Sequence, residues 1–423
     1  MIVLFPFNDI LPMILVNIEI MLREPVFWVV VVLVVLQYRR MHSMRESFYG
    51  VPIKSNWNEA ATAIVFGLVG GLLGSVLMVV IGVTLTSGLI FIWPLAIILM
   101  LINARFICFA YAGGILALSR ILFGFPQINV SQVLALVAVL HMVESILILF
   151  SGHLGAIPSY FRDRDGRVVG GFTLQKFWPI PIAALAFITG MDVPPGSVDM
   201  PEWWPLIKPG VANPENVIYT LMPVVAALGY GDMAIARNPA QKSRISACYL
   251  ALYSLVLLLL AVVADHSVLL AVVAAVFSPM GHELVIYIGR KTEMQGQPIY
   301  VPSADGLALL DVIPDSPAWR AGIRSGDVIV AVNGFPVTRR SDFAAISYAV
   351  NPPLQVEFFS RRKRRLMHGK LSFNKGEKHL GILSVPEGAE AVGVVDVSTA
   401  GPLGRWFLNF WQRHKRKGDT PPL

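Results

Sequence analysis

Before residue 290 the chain is a succession of long apolar runs joined by short polar connections. Val130 to Phe150 shows the pattern most clearly, with His141 and Glu144 its only ionisable side chains. A run of this length is long enough to cross a bilayer as a helix, and only a helix or a closed barrel satisfies its own backbone there. The chain is 55% hydrophobic and 14% charged, with a mean hydropathy of +0.64, which excludes an ordinary soluble domain.

Further spans read at 26–36, 62–85, 88–104, 106–123, 246–264 and 267–288. Residues 10–22, broken by Glu19, read as a helix lying along the membrane surface. Segments 179–190 and 216–229 are short for a crossing. Pro179, Pro181 and Pro223 interrupt helical hydrogen bonding, so the two read as a re-entrant pair. The expectation is a membrane domain over 1–290 with about seven to nine spans. Gly67, Gly70, Gly71 and Gly74 are spaced to let a neighbouring element approach.

Positive charge sets the orientation. Arg39, Arg40 and Arg45 follow the first confident span, Arg162, Arg164, Arg167 and Lys176 fall in one connection, and Arg237, Lys242 and Arg244 in another. Arg290 and Lys291 close the last span, and by the excess of basic residues all these connections are cytoplasmic. The loop 192–214, with Asp192, Asp199, Glu202, Trp203 and Trp204, and the pair Asp265-His266 are then outside. The C-terminal third is therefore predicted to be cytoplasmic. A cleaved signal peptide is not expected, since no basic region opens the chain and Asp9 and Glu19 interrupt its apolar run. Cys108 and Cys248 both lie in apolar segments and read as packing residues rather than a disulfide.

Residues 312–334 carry the densest local signals. Ser316 can cap a short helix with Pro317 in its first turn, and Gly322 ends it, turning Ala318 inward. Gly326 suits a left-handed turn that Asp327 can tie by accepting backbone hydrogens. Val328, Val330 and Val332 alternate along a strand ending at the hairpin signal Asn333-Gly334. This run resembles the PDZ domain in its bacterial form, over about residues 294–375, and implies a small α+β module, a partly open barrel with flanking helices, whose bounds are set at 291–400.

A PDZ domain receives an extended peptide as one more strand beside a helix. By the resemblance, the edge strand is Ile299-Tyr300-Val301 and the facing helix runs from Ser341 to Val350, so Pro298, Ile299, Tyr300, Val301, Phe343, Ile346 and Val350 line the groove. Gly296-Gln297-Pro298-Ile299 stands where the family's carboxylate-binding loop belongs, and Pro298 removes an amide donor from it. Arg361 to Arg365 reads as a solvated hairpin tip or a contact for acidic lipid or a partner. Residues 379–398 read as further strands, and Leu380-Gly381-Ile382 echoes a PDZ opening. In the tail, 401–423, aromatic residues among Arg and Lys fit either a helix on an anionic leaflet or one packed on the module.

His141 and Glu144 share one helix face in mid-span, where an ionised carboxylate is costly. They could relay protons or bind a metal; the simpler role is an ion pair of Glu144 with Arg105 or Arg120. His282-Glu283 matches the start of the zinc motif of site-2 intramembrane proteases, but Ile286 stands where the second His should be, so no metal site and no cofactor is expected. Neither a phosphate-binding Gly-rich loop ending in Lys nor a Gly-x-Ser-x-Gly elbow occurs.

Several stretches together resemble the MinJ family of cell-division topological determinants: Tyr38-Arg39-Arg40, His141 to Ser145, Gln175 to Pro181, and Gly229 to Met233 followed by Lys242-Ser243-Arg244. That resemblance implies a non-enzymatic membrane adaptor, placed at the septum and poles, linking the scaffold DivIVA to the division inhibitor's MinD arm. A relative or regulator of intramembrane proteases, or a transporter using Glu144 and the broken short segments, are the competing classes.

Overall fold

The computed structural model describes residues 5–388 apart from 54–56, 86–88, 191–193, 195–196, 211–216, 350–352, 375–376 and 378. The expected tail and the strand residues beyond 388 lie outside the described residues, as does Val350. The membrane domain contains helices α1 (Phe7–Arg23), α2 (Pro25–Tyr49), α3 (Asn58–Ile81), α4 (Leu89–Ile102), α5 (Phe109–Phe123) and α6 (Val130–Ser151). Three strands follow, β1 (Ile157–Arg162), β2 (Val168–Thr189) and β3 (Val217–Ala234), and then helices α7 (Pro239–Val263) and α8 (Val268–Gln295). Among the described residues, five helices are long and apolar enough to cross a membrane: Pro25–Tyr49, Asn58–Ile81, Val130–Ser151, Pro239–His266 and Val268–Gln295. Helix α6 forms the centre, with Leu134 through Leu140 all buried.

Residues 179–190 and 216–229 are not the broken helices expected of them. The two segments do pair, but as strands: β2 and β3 run antiparallel in unbroken register from Phe172 opposite Ala234 to Thr189 opposite Val217. This long hairpin stands along α3. Oγ of Ser75 accepts the Ala183 N–H at 2.8 Å, and a Cβ on Gly67 or Gly71 would fall 2.1 or 2.0 Å from the carbonyl oxygen of Pro179 or Pro181.

The prolines explain why a strand is tolerated here. Ala183 turns its N–H to α3, away from β3, so the odd-numbered residues of this stretch point their backbone groups off the ladder. Pro179 and Pro181 share that parity, and Pro223, opposite Ala183, points outward from β3 in the same way. None of the three is asked for the donor it lacks. Other groups on this edge find partners outside the sheet: the Leu85 N–H donates to Leu185 at 2.7 Å, and Tyr38 Oη lies within 3.5 Å of both the amide and the carbonyl of Phe177.

A hairpin of two short apolar helices occurs earlier in the chain. Helices of 14 and 15 residues, α4 and α5, would each reach only about 22 Å. The rings of Phe91 and Phe125, at their outer ends, are 5.7 Å apart, while Cys108 at the turn sits beside His141, halfway along α6. Both far ends of the pair thus lie together, with the turn halfway along α6. Helix α1 also differs from its expected surface position: Ile10, Ile14 and Ile18 bury against Val79 of α3 and Ala183 of β2.

The C-terminal module contains β4 (Leu307–Val312), α9 (Pro317–Arg320), β5 (Val328–Val332), β6 (Phe335–Pro336), α10 (Arg340–Ala349), β7 (Leu354–Ser360), β8 (Arg365–Leu371) and β9 (Ile382–Ser384). Its sheet has the order β8-β7-β5-β4-β9, with β6 paired to β5. Leu309, Ala318, Ile323, Ile329, Val332 and Phe358 form a core separate from that of the helices. The module is docked rather than tethered. Tyr49 Oη donates to Asp311 Oδ2 at 2.7 Å, and the Gly170 N–H donates to the Tyr300 carbonyl at 2.9 Å. Glu293, wholly buried, accepts from the amides of Ile235 and Ala236 and pairs with Arg237 at 2.7 Å.

Two outcomes follow from this packing. Gly71→Ala should lower the thermal midpoint of the detergent-purified protein, because overpacking against a backbone carbonyl costs about 1–3 kcal/mol. Gly231→Ala, with open space at its Cβ, should leave the midpoint near wild type.

At the docking contact, burial lifts the Asp311 carboxyl to about 6, while the bond from Tyr49 holds it back. A proton kept in the folded state and shed by the unfolded chain contributes stability that is full below about pH 4 and is lost as pH rises through about 6. Asp311→Asn should therefore gain in thermal midpoint over wild type as pH goes from 4 to 7, measured by unfolding scans across that range.

Candidate functional site

Ser316 Oγ accepts the Trp319 N–H at 3.2 Å and starts α9, with Pro317 and Ala318 buried behind it. Gly322 and Gly326 take positive φ, as do Asn333 and Gly334 at the turn between β5 and β6. Asp327 accepts the N–H groups of Arg324 at 2.9 Å and Arg361 at 3.0 Å, joining two loops, and its burial raises its carboxyl above the usual range. These residues build the turn that aligns β4 with β5.

The expected edge strand is elsewhere. Ile299, Tyr300 and Val301 do not flank β4; Tyr300 is buried against Gly170 and Phe172, the Ile299 amide donates to Ile235, and Val301 packs beside Phe161 and Val169. Pro298 precedes this tie and stands outside any groove. The strand beside β4 is β9, pairing Val312 with Ile382 and Leu309 with Ser384, and it ends the sheet among the described residues. The chain returns from the far side of the module to complete it, an order that local signals do not reveal. Phe343 and Ile346 of α10 border the same core as Leu380 and Ile382, and the Arg340 amide donates to Glu387 just past β9. A peptide groove of the PDZ kind would therefore fall between β9 and α10.

Leu380-Gly381-Ile382, the weaker echo, is the loop that heads this groove. The Leu380 carbonyl accepts from Ala318 at 3.1 Å and that of Gly381 from Ile313 at 2.8 Å, so both carbonyls turn inward. In a planar trans peptide the N–H opposes the C=O, so the amides of Gly381 and Ile382 face away from the module. Two adjacent outward amides suit a carboxylate. Gly381 is required here: its φ is +74°, and a Cβ would meet the Ser316 Cβ at 2.3 Å.

Inside the membrane domain, the expected pairing of Glu144 with Arg105 or Arg120 is absent. Arg105 bridges Glu283 at 3.0 Å, together with the Tyr111 hydroxyl at 2.7 Å, and Arg120 donates to the Gly124 carbonyl. Among the described residues no cation pairs with Glu144. His141 instead meets two residues from other elements: its Nε2 is 3.0 Å from Cys108 Sγ, which is 3.6 Å from His282 Nε2. Tyr253 and Tyr111 set ring edges against this pair of imidazoles. Cys108 reads as a packing residue in isolation, and the only sequence signal for the group is three ligand-type residues in otherwise apolar runs.

Residues 310–357 match the family model described as PDZ domain. The C-terminal module is a PDZ domain. The same region gives 54% identity over 41 residues to the putative serine protease HhoA of Synechocystis, a match covering 10% of each chain and so confined to this domain in extent. Over 404 residues, 89% of this chain and 96% of the relative, the sequence is 24% identical to the cell division topological determinant MinJ of Bacillus subtilis. The similarity extends through the membrane domain, whose residues have visible duties. Lys176 lies over the Tyr38 ring, Trp178 is fully buried, and Asp232 of β3 holds Lys242 at 3.1 Å and Ser246 at 2.7 Å.

Gly381→Ala should cut the affinity of the PDZ domain for C-terminal peptides at least tenfold while leaving the β5 and β7 amides protected. Hydrogen exchange on the full chain, alongside peptide titration, separates those two readouts.

Proposed function

We propose that the protein is a membrane-anchored adaptor for division-site selection, presenting its PDZ groove to partner proteins on the cytoplasmic face. The observation that carries this reading is the end-to-end similarity to MinJ combined with a PDZ domain docked against the basic end of the helical domain. Tyr49 meets Asp311 four residues past Arg45, and Arg237 and Arg290 flank the same junction. At the opposite end, Trp204 Nε1 donates to the Val79 carbonyl, and Ser131 donates to Asp265. Basic residues gathered at one end favour its retention in the cytoplasm.

By the family resemblance, the partners are DivIVA and MinD, and the site of action is the septum and poles. The groove between β9 and α10 takes a C-terminal strand, with the Gly381 and Ile382 amides on its carboxylate and Phe343 and Ile346 under its side chains. Helices supply location and docking supplies recruitment, with no bond broken.

Reporter fusions after residue 388 and within loop 192–214 test the orientation. A fluorescent protein should mature only at the first and alkaline phosphatase be active only at the second; the reverse pattern overturns the cytoplasmic adaptor. Co-purification from cells should recover DivIVA and MinD with wild type and lose at least one with Ile382→Asp.

A further inference from the structure

The Cys108, His141 and His282 side chains come from three separate elements: the turn between α4 and α5, α6, and α8. Their ligand atoms all lie within 4.8 Å of one another in the helical domain, His141 buried and the other two partly so. One thiol and two imidazoles form a donor set suited to a borderline d10 cation, since soft sulfur and imidazole nitrogen together select zinc over calcium or magnesium.

The surroundings favour an ion over a chance cluster. His141 Nδ1 lies 2.7 Å from the Val137 carbonyl, which fixes the proton on that nitrogen and leaves the Nε2 lone pair aimed at the group. This is the outer bond that ligating histidines usually carry. His282 Nδ1 is buried without a partner among the described residues, so the ring is held by a single long polar contact, from Nε2 to Cys108. Glu144 lies one turn beyond His141 on the same face, with no cation beside it among the described residues. A carboxylate in mid-span is costly unless neutralised, and zinc with one thiolate and two neutral imidazoles leaves a single positive charge for it to balance.

We propose that Cys108, His141 and His282 bind a zinc ion that fastens the helical hairpin α4–α5 to α6 and α8, with Glu144 as the compensating anion. On binding, the Cys108 thiol loses its proton to solvent and the thiolate donates an electron pair to the metal; no redox step is involved. Bond lengths of about 2.3 Å to sulfur and 2.0–2.1 Å to nitrogen place S···N separations near 3.5 Å, so Cys108 and His141 need move apart only slightly.

The test uses the full-length protein in detergent. Metal analysis should find a single equivalent of zinc after incubation with zinc and removal of excess. Replacement with cobalt should give a sulfur-to-cobalt charge-transfer band and, with water as the fourth ligand, intense tetrahedral visible bands. Cys108→Ser should abolish the charge-transfer band, His282→Gln should weaken zinc affinity about 100-fold or more, and Cys248→Ser should change neither. Size-exclusion profile and circular dichroism confirm that each variant is folded. Absence of zinc from the wild type, or unchanged binding in either Cys108→Ser or His282→Gln, overturns the proposal and leaves a chain of hydrogen bonds centred on the thiol. A misfolded His282→Gln is replaced by His282→Asn, read against the same two outcomes.

Discussion

Backbone polarity in lipid is the constraint that organises this fold. Beyond the first residues of β2, which β1 covers, a hairpin as long as β2–β3 carries unpaired N–H and C=O groups along its outer sides, and hydrocarbon supplies no partner for them. The protein answers by placing one edge of β2 against α3 and by removing donors where no acceptor is available. Gly67 and Gly71 let the carbonyls of Pro179 and Pro181 approach the helix, and Ser75 supplies the acceptor for Ala183. Small residues on α3 and prolines on β2 are therefore two halves of one device. Either half without the other leaves a steric collision or an orphaned amide.

The same hairpin reaches out of the helical domain to hold the PDZ domain. Its early part, near Gly170 and Phe172, receives Tyr300, while the end of β3 and the residues after it meet Glu293 of α8. The connection from α8 into the PDZ domain is consequently spent on contacts. A partner bound in the groove meets a surface with a set orientation to the bilayer, which reduces the rotational freedom lost on recruitment.

How much of this was legible depended on how local the determinants are. Ser316, Gly326, Asp327 and Asn333-Gly334 each fix a turn through bonds to near neighbours or to one adjacent strand, so their order along the chain identifies the PDZ domain. The groove edge depends on β9 returning past β8 to lie beside β4, and Ile299-Tyr300-Val301 is a good strand by composition but is bound to β2 instead. In 179–190 and 216–229, apolar content and proline pointed to a broken helix, because sequence alone does not say which way a strand proline's nitrogen will face. Cys108, His141 and His282 have no mutual spacing to detect; only the α4–α5 hairpin brings the first to the level of the other two.

Strand β4 joins the helical domain to the head of the groove. Asp311 is tied to Tyr49 at the end of α2, and two residues later the Ile313 amide holds the Gly381 carbonyl, which sets the outward turn of the amides heading the groove. Between them Val312 pairs with Ile382, the first residue of the edge strand. Three consecutive residues thus carry the membrane anchor, the sheet register and the carboxylate loop. An extended strand changes its length little, so the groove cannot tilt relative to α2 without breaking one of these bonds. In the adaptor role proposed above, this construction would present the partner at a fixed height above the bilayer, a property that a PDZ domain on a flexible linker would lack.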